Sequence, residues 1–165
     1  MHASVDEEGS EDMREILFRG KRKDNGEWVE GYIVICNEEI NHGKVYMCDS
    51  VKSIYFNGDT FEIGDFYEVD SDTVGECTGL PDKNGKKIFE GDIVSGTALS
   101  RERTGVIVWI GQLAGFGVRY TGRDDPTAWQ ESSILKDIER HKYSEFCARV
   151  IGNIHDNPGL LEVEK

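Results

Sequence analysis

Two stretches of the chain repeat one phrase, and this repeat constrains the fold more than any other sequence feature. Residues 25–34 read NGEWVEGYIV and residues 84–94 read NGKKIFEGDIV, so Asn-Gly, Glu-Gly and Ile-Val recur in the same order. Asn-Gly tolerates two consecutive positive φ angles, which a type I′ turn requires, so the flanking apolar runs are expected to pair as strands. Each copy therefore predicts a β-hairpin followed by a strand that bends at its glycine.

The residues of the repeat are predicted to have structural roles. Glycine supplies backbone freedom at the turns and bends, and neighbouring carboxylates can cap free backbone N–H groups. A glycine near the C-terminus is expected to let another backbone approach a strand closely. The predicted structural positions are Asn25, Gly26, Gly31, Asn84, Gly85, Glu90, Gly91, Asp92 and Gly152.

The spacing of apolar runs predicts a mainly β protein with minor helix. The first segment, MHASVDEEGSED, carries five acidic residues and no basic one, which predicts a disordered tail. Three meandering strands and two weaker ones in the C-terminal half are typical of a small SH3-like barrel. The predicted division is a tail at 1–12, an irregular β-rich N-terminal region at 13–77, an SH3-like barrel domain at 78–156 and a C-terminal tail at 157–165.

Two local predictions accompany this division. Residues 78–85 read as a linker and turn, because Pro81 cannot donate to a strand ladder. The run VIVWI at 106–110 is apolar at every position, which predicts a strand covered on both faces with Trp109 in the core.

The charge and hydropathy of the chain bound its location and partners. No run approaches the ~18 apolar residues of a membrane helix, and the N-terminus lacks the apolar core of a signal peptide. We therefore expect a cytoplasmic protein without membrane contact. The formal net charge of −13 argues against coating nucleic acid by bulk attraction.

An acidic run interleaved with aromatic residues at 59–76 is the first candidate for a binding function. Such a run could present carboxylates and apolar groups to another protein, although a solvated acidic loop over the core is the simpler interpretation. The candidate protein-contact residues are Asp59, Glu62, Asp65, Phe66, Tyr67, Glu68 and Asp70.

Four arginines in the C-terminal half form the alternative candidate. Small barrels often bind single-stranded nucleic acid on a strand face, with arginine contacting phosphates. Surface arginines that serve only solubility are the competing interpretation. The candidate nucleic-acid contacts are Arg101, Arg103, Arg119 and Arg123.

No catalytic, cofactor or metal site is predicted. The four cysteines lack a CxxC pair and are expected to be free thiols, and Cys36-x5-His42-x5-Cys48 lacks the close ligand pairing of zinc sites. His155 beside Asp156 is the only suggestive histidine, and a capping or surface role is favoured for it.

Three blocks of the sequence resemble the YopX family of phage and prophage proteins. They are MREILFR at 13–19 with WVEG at 28–31; TVG, TGL and DKNGKKIFEGDIV within 73–94; and VIGNI at 150–154 followed by Asn157-Pro158. The resemblance implies a C-terminal SH3-like barrel and a self-associating particle in a bacterial host cell, and it supplies no catalytic residues. The chain departs from the family pattern at Cys77 and Pro81, which weakens any inference about how the two halves are placed.

Together these features predict a non-enzymatic phage or prophage accessory protein. It is expected to act by binding a host or phage protein and to form a homo-oligomer. The alternative is a weak single-stranded nucleic-acid-binding protein that uses the four arginines.

Overall fold

The computed structural model describes residues 15–35, 44–50, 64–98, 101–120 and 148–161. Within these ranges the regular structure consists of ten β-strands and three short 3-10 turns. The mainly β prediction is therefore confirmed. The strands form two sheets in which all paired neighbours are antiparallel.

The first sheet contains the N-terminal strands and both copies of the repeat's hairpin. Its strands are β1 (Phe18–Lys21), β2 (Trp28–Ile35), β3 (Val45–Cys48), β4 (Phe66–Val69), β5 (Gly75–Pro81) and β6 (Lys87–Phe89). They are ordered β4-β3-β2-β1-β5-β6 across the sheet.

Strand β4 also reaches back to β1, so the first four strands curl into a ring. Arg22 forms an antiparallel bridge with Val69, and the N–H of Asp70 donates to the carbonyl of Lys21 at 2.8 Å. Met47 and Val69 are almost fully buried inside this ring. The closed ring leaves little room at its centre. This explains why the residue of β1 that faces both of these side chains is a glycine, Gly20.

The second sheet follows a turn at Glu90-Gly91. Its strands are β7 (Asp92–Ala98), β8 (Arg101–Ile110), β9 (Gly115–Tyr120) and β10 (Arg149–Asn153), ordered β10-β7-β8-β9. The buried cluster on one of its faces consists of Ile88, Val94, Ile107, Val118 and Ala148. Because Ile88 belongs to β6, this cluster also packs the two sheets together. The SH3-like detail of the C-terminal half stays a prediction.

The predicted linker at 78–85 is wrong for its first part, because 78–81 belong to β5. The register of β5 against β6 shifts between Cys77 and Pro81, and Gly79 within the shift has a φ of 79°. Such a bulge lets the strand continue to Pro81, which pairs with Lys87 at the strand end. The predicted domain boundary at residue 78 thus falls inside β5, and the division into domains stays a prediction.

The predicted type I′ turn is also wrong. In the first copy only Gly26 has positive φ, at 73°, and the Asn25 side-chain oxygen instead accepts the N–H of Glu27 at 2.9 Å. In the second copy the N–H of Gly85, whose φ is 80°, donates to the carbonyl of Asp82 at 2.9 Å. Each loop therefore uses a single left-handed glycine after a right-handed turn, which is typical of three- and four-residue hairpin loops.

Trp109 does not lie in the core as predicted. Its side chain is 48% exposed and makes an edge-to-face contact with Phe116 at a centroid distance of 5.2 Å. Ile107 on the same face of β8 and Ile110 on the other face are buried, so the cover over the Trp109 face ends before the strand does.

Candidate protein-contact surface

An exposed apolar surface lies on the outside of the ring, across β2, β3 and β4. Tyr32 is opposite Cys48, and Cys48 is opposite Phe66, so the three residues share one face of the sheet. Tyr32 is 41% and Phe66 is 49% exposed, whereas Cys48 between them is buried. The row thus has a buried cysteine between two aromatic side chains that leave about half of their surfaces in water.

The neighbouring row extends this surface. Val34 is 37% exposed and is opposite Tyr46, which is half-buried. We name the five residues Tyr32, Val34, Tyr46, Cys48 and Phe66 the β2–β4 face. Contiguous exposed apolar residues on a regular sheet are unusual in a monomeric protein and mark interaction surfaces.

At one border of the β2–β4 face a carboxylate is paired with two lysines. Glu68, opposite Tyr46, accepts from Lys44 at 2.8 Å and from Lys23 at 3.1 Å. These two ammonium groups, Lys44 first, lower the pKa of Glu68 below its ordinary value. The carboxylate is therefore held by the protein itself.

Two carboxylates lie where β3 ends and β4 begins, on the side of the strands that carries Met47 and Tyr67. Asp49 follows β3 and Asp65 precedes β4; both are exposed, and the N–H of Asp49 donates to the carbonyl of Asp65 at 3.3 Å. In the described part of the chain neither carboxylate forms an ion pair. Burial, and then these two carboxylates, raise the pKa of Tyr67.

The predicted protein-contact residues fall in different environments. Phe66 is exposed at the β2–β4 face. Tyr67 points the other way, its Oη donates to Asp65 at 3.4 Å, and its ring is stacked under Arg22, whose Cζ lies 4.0 Å from the ring centroid. Asp70 accepts the N–H of Asp72 at 3.2 Å and caps a 3-10 turn. The predicted residues Asp59 and Glu62 lie outside the described residues.

Sequence reasoning missed Tyr32, Val34 and Tyr46. In β2 the run Tyr32 to Ile35 is apolar at every position, so alternation does not reveal which side faces water. The signal that could have found them is the pairing itself, because β3 places Cys48 and Tyr46 on the same side as Phe66.

Of the predicted arginine contacts, Arg119 is exposed in β9 and is opposite Val106. The backbone of Arg101 and Arg103 belongs to β8, and their side chains lie outside the described part of the structure. Arg123 lies outside the described residues. The nucleic-acid alternative stays a prediction, which titration of labelled single-stranded DNA at two salt concentrations tests.

A buried ion pair joins the two sheets. Arg19 Nη1 of β1 lies 2.6 Å from Asp92 Oδ1 of β7, and its guanidinium carbon lies 4.8 Å and 4.9 Å from the ring centroids of Trp28 and Phe89. Burial raises the pKa of Asp92, and the charge of Arg19 opposes that rise. Asp92 also accepts the N–H of Phe89 at 2.8 Å, and Glu90 accepts the N–H of Trp109 at 3.2 Å.

A second, more exposed ion pair holds the C-terminal turn against the first sheet. Asp156 accepts from Lys21 at 2.5 Å, from Trp28 Nε1 at 2.6 Å and from Asn153 at 2.8 Å. Hydrogen bonds from Asn153, Lys21 and Trp28 hold the pKa of Asp156 well below its ordinary value. The ring of His155 lies 6.0 Å from that of Trp28, so this histidine packs on the junction.

We predicted that Gly152 lets another backbone approach its strand closely, and this prediction is wrong. An added Cβ would lie 2.6 Å from the side-chain oxygen of Asn157 and 2.9 Å from Leu160. The close approach there comes from two side chains of the C-terminal turn.

Among the described residues, no group of three or more His, Cys, Asp or Glu side chains could hold a metal ion. In the same ranges no helix has the length and apolar character needed to cross a bilayer.

The fold and surface define a two-sheet antiparallel β protein with one exposed apolar face. The model of the family described as YopX protein matches residues 17–162, and the chain belongs to the YopX family. The crystal structure of protein EF1440 from Enterococcus faecalis is similar, with a TM-score of 0.54 and 27% identity over 89% of this chain and 98% of that chain. The comparison with curated proteins found no match.

Proposed function

We propose that this YopX-family protein is a non-catalytic phage or prophage accessory protein that binds another protein through the β2–β4 face. The observation that carries the proposal is the pair of half-exposed aromatic residues, Tyr32 and Phe66, fixed in one row of a regular sheet on the two strands that flank β3. Aromatic side chains on a rigid support are the usual anchors of protein interfaces, since their burial gains much area at small entropic cost.

The surroundings of these anchors also support a binding role. The ring formed by β1–β4 holds β4 from both sides, so the face is presented with little freedom to rearrange. A preorganised surface loses less entropy when a partner binds. The sequence pointed to the carboxylates of the acidic run as the contact. The proposed contact is centred instead on the apolar residues beside them.

Self-association is part of the same proposal. It rests on the resemblance to the family, and symmetric contacts between copies are the usual arrangement in homo-oligomers. Light scattering of the purified protein measures the number of subunits; a monomer at all concentrations would contradict this part.

A capture experiment tests the binding role of the β2–β4 face. Immobilised protein is exposed to a bacterial lysate and compared with the double variant Tyr32→Ser/Phe66→Ser. The matched control is Leu113→Ser, because Leu113 is 40% exposed on the 3-10 turn Gly111–Leu113 of the other sheet. Urea unfolding establishes that each variant is folded.

We expect the double variant to lose the captured protein and the Leu113→Ser control to retain it. Identical capture by all three forms would contradict the assignment of this face. A reaction catalysed by the purified protein would contradict its non-catalytic character.

A further inference from the structure

We infer that two copies of this chain associate through the end of the β8–β9 hairpin, where Trp109 and Leu113 are exposed. This inference rests on the self-association in the proposed function, and it names the contact surface and its occupant, a second copy of this chain. We call residues 109–116 the hairpin tip. The tip belongs to the second sheet and shares no residue with the β2–β4 face.

The hairpin tip carries apolar side chains beyond the end of the core. Ile107 and Val118 are opposite each other and buried, and the next pair on the same face is Trp109 opposite Phe116. The two rings of this pair contact each other edge to face, and Trp109 is 48% exposed. Leu113, on the 3-10 turn that closes the hairpin, is 40% exposed. A packed aromatic ring beside an exposed leucine is typical of the centre of a protein interface.

The backbone of the hairpin tip is strained at Ala114. This residue has a φ of 47° and is the only non-glycine residue with positive φ in the described part of the chain. Its N–H donates to the carbonyl of Gly111 at 3.2 Å, which holds the turn closed. Glycine would adopt this conformation without the steric cost of a Cβ atom. Strained residues cluster where a surface has a function, and here the methyl group adds to the exposed apolar area.

The distribution of charge selects a second copy as the occupant of the tip. Residues 104–118 are the longest run of the chain without Asp, Glu, Lys or Arg, fifteen residues against eight for the next longest, in a chain that is 31% charged. The carboxylate of Glu90 reaches this end of β8 and accepts the N–H of Trp109 at 3.2 Å. Two copies with a net charge of −13 each repel one another, so they associate best where the contact itself is neutral. A two-fold axis at the tip brings such neutral residues together.

Light scattering of the full chain over a range of protein concentrations tests the inference. The variant Leu113→Asp places a carboxylate in the tip, and Trp109→Ser removes the aromatic ring without adding charge. The matched control is Leu160→Asp, because Leu160 is 45% exposed on another 3-10 turn, Pro158–Leu161, and the change in net charge is the same. Urea unfolding establishes that each variant is folded.

We expect the unaltered protein to associate and Leu160→Asp to associate equally well. Leu113→Asp and Trp109→Ser should each raise the dissociation constant about tenfold or more, since one adds like charge to the contact and the other removes its largest side chain. Added salt should strengthen association of the unaltered protein, because it screens the repulsion between the two negative copies while the apolar contact remains.

The outcomes separate this inference from the proposed function. Association that Leu113→Asp and Trp109→Ser leave unchanged, or that added salt weakens, overturns the inference alone. Association that is lost in Tyr32→Ser/Phe66→Ser and kept in Leu113→Asp places the second copy on the β2–β4 face and also overturns it. A monomer at all concentrations contradicts both the inference and the self-association on which it rests.

Discussion

The two copies of the repeated phrase form hairpins that the remaining chain holds in different ways. The first joins β1 to β2; its loop is exposed, and beyond its own hydrogen bonds the N–H of Lys23 donates to the carbonyl of Glu68 in β4 at 2.9 Å. The second joins β5 to β6, and its buried Asp82 accepts three backbone N–H groups, from Asn84 at 2.7 Å, Lys86 at 2.9 Å and Val150 of β10 at 3.1 Å. The same local sequence thus gives one loop held through a backbone N–H and one loop held by a buried carboxylate.

The Glu-Gly steps of the two copies differ as well. Gly31 lies within β2, where an added Cβ would overlap the carbonyl oxygen of Cys48. Gly91 lies between the sheets with a φ of 80°; its N–H donates to Ile107 and its carbonyl accepts from Ile154. One glycine is required by a close approach and the other by a backbone conformation, so tertiary contacts decide what a shared motif does.

The largest expected effect is a difference between Gly31→Ala and Gly91→Ala. We expect Gly31→Ala to cost about 3 kcal/mol or more of unfolding free energy, because β2 and β3 must separate. Gly91→Ala has only ordinary contacts, the nearest at 3.6 Å, and should cost about 1–2 kcal/mol for its left-handed backbone. Urea unfolding measures both, and equal losses would contradict the distinction.

Asp82→Ala should give the next largest effect. Removing the carboxylate leaves buried backbone donors unpaired, which costs about 2 kcal/mol. Burial raises the pKa of Asp82, but the backbone N–H groups outweigh it and the pKa is lowered. The matched change is Asp24→Ala in the first copy, where the carboxylate is exposed and bonds Arg22; we expect almost no loss there.

A pH titration tests another contact of the first hairpin, the ion pair between Lys21 and Asp156. Its folded pKa lies below the unfolded value near 3.9, so its contribution is present above about pH 4 and is lost as the pH falls. The cost of Asp156→Asn in urea unfolding should therefore be larger at pH 7 than at about pH 2.5. The same cost at both pH values would show that the carboxylate charge contributes nothing.

The smallest effects are expected at the two loop glycines. Gly26 and Gly85 have φ values of 73° and 80°, and an added Cβ would meet nothing within 4 Å at either position. Each Gly→Ala change should cost about 1 kcal/mol, from backbone conformation alone. If thermal or urea unfolding shows that the two losses of stability differ by much more than this, one of the loops makes a contact that the other lacks.

The sequence was sufficient to predict the strands that flank the repeats, because turn glycines and apolar runs are local signals. It did not reveal the third hydrogen bond of Asp82, whose donor Val150 lies 68 residues away. It placed Trp109 in the core because an unbroken apolar run does not show where coverage by the other strands ends. The acidic run was visible, but the partners of Glu68 and the row from Tyr32 to Phe66 depend on pairing between strands.

The closed ring has a consequence for how the exposed aromatic residues are tolerated. A free strand edge beside apolar side chains is the template from which sheets add further strands and grow into fibrils. The backbone of β4 is engaged by β3 on one side and, at residues 68–70, by residues 21–23 on the other. Tyr32 and Phe66 can therefore remain accessible beside a strand whose second half offers no seed for stacking.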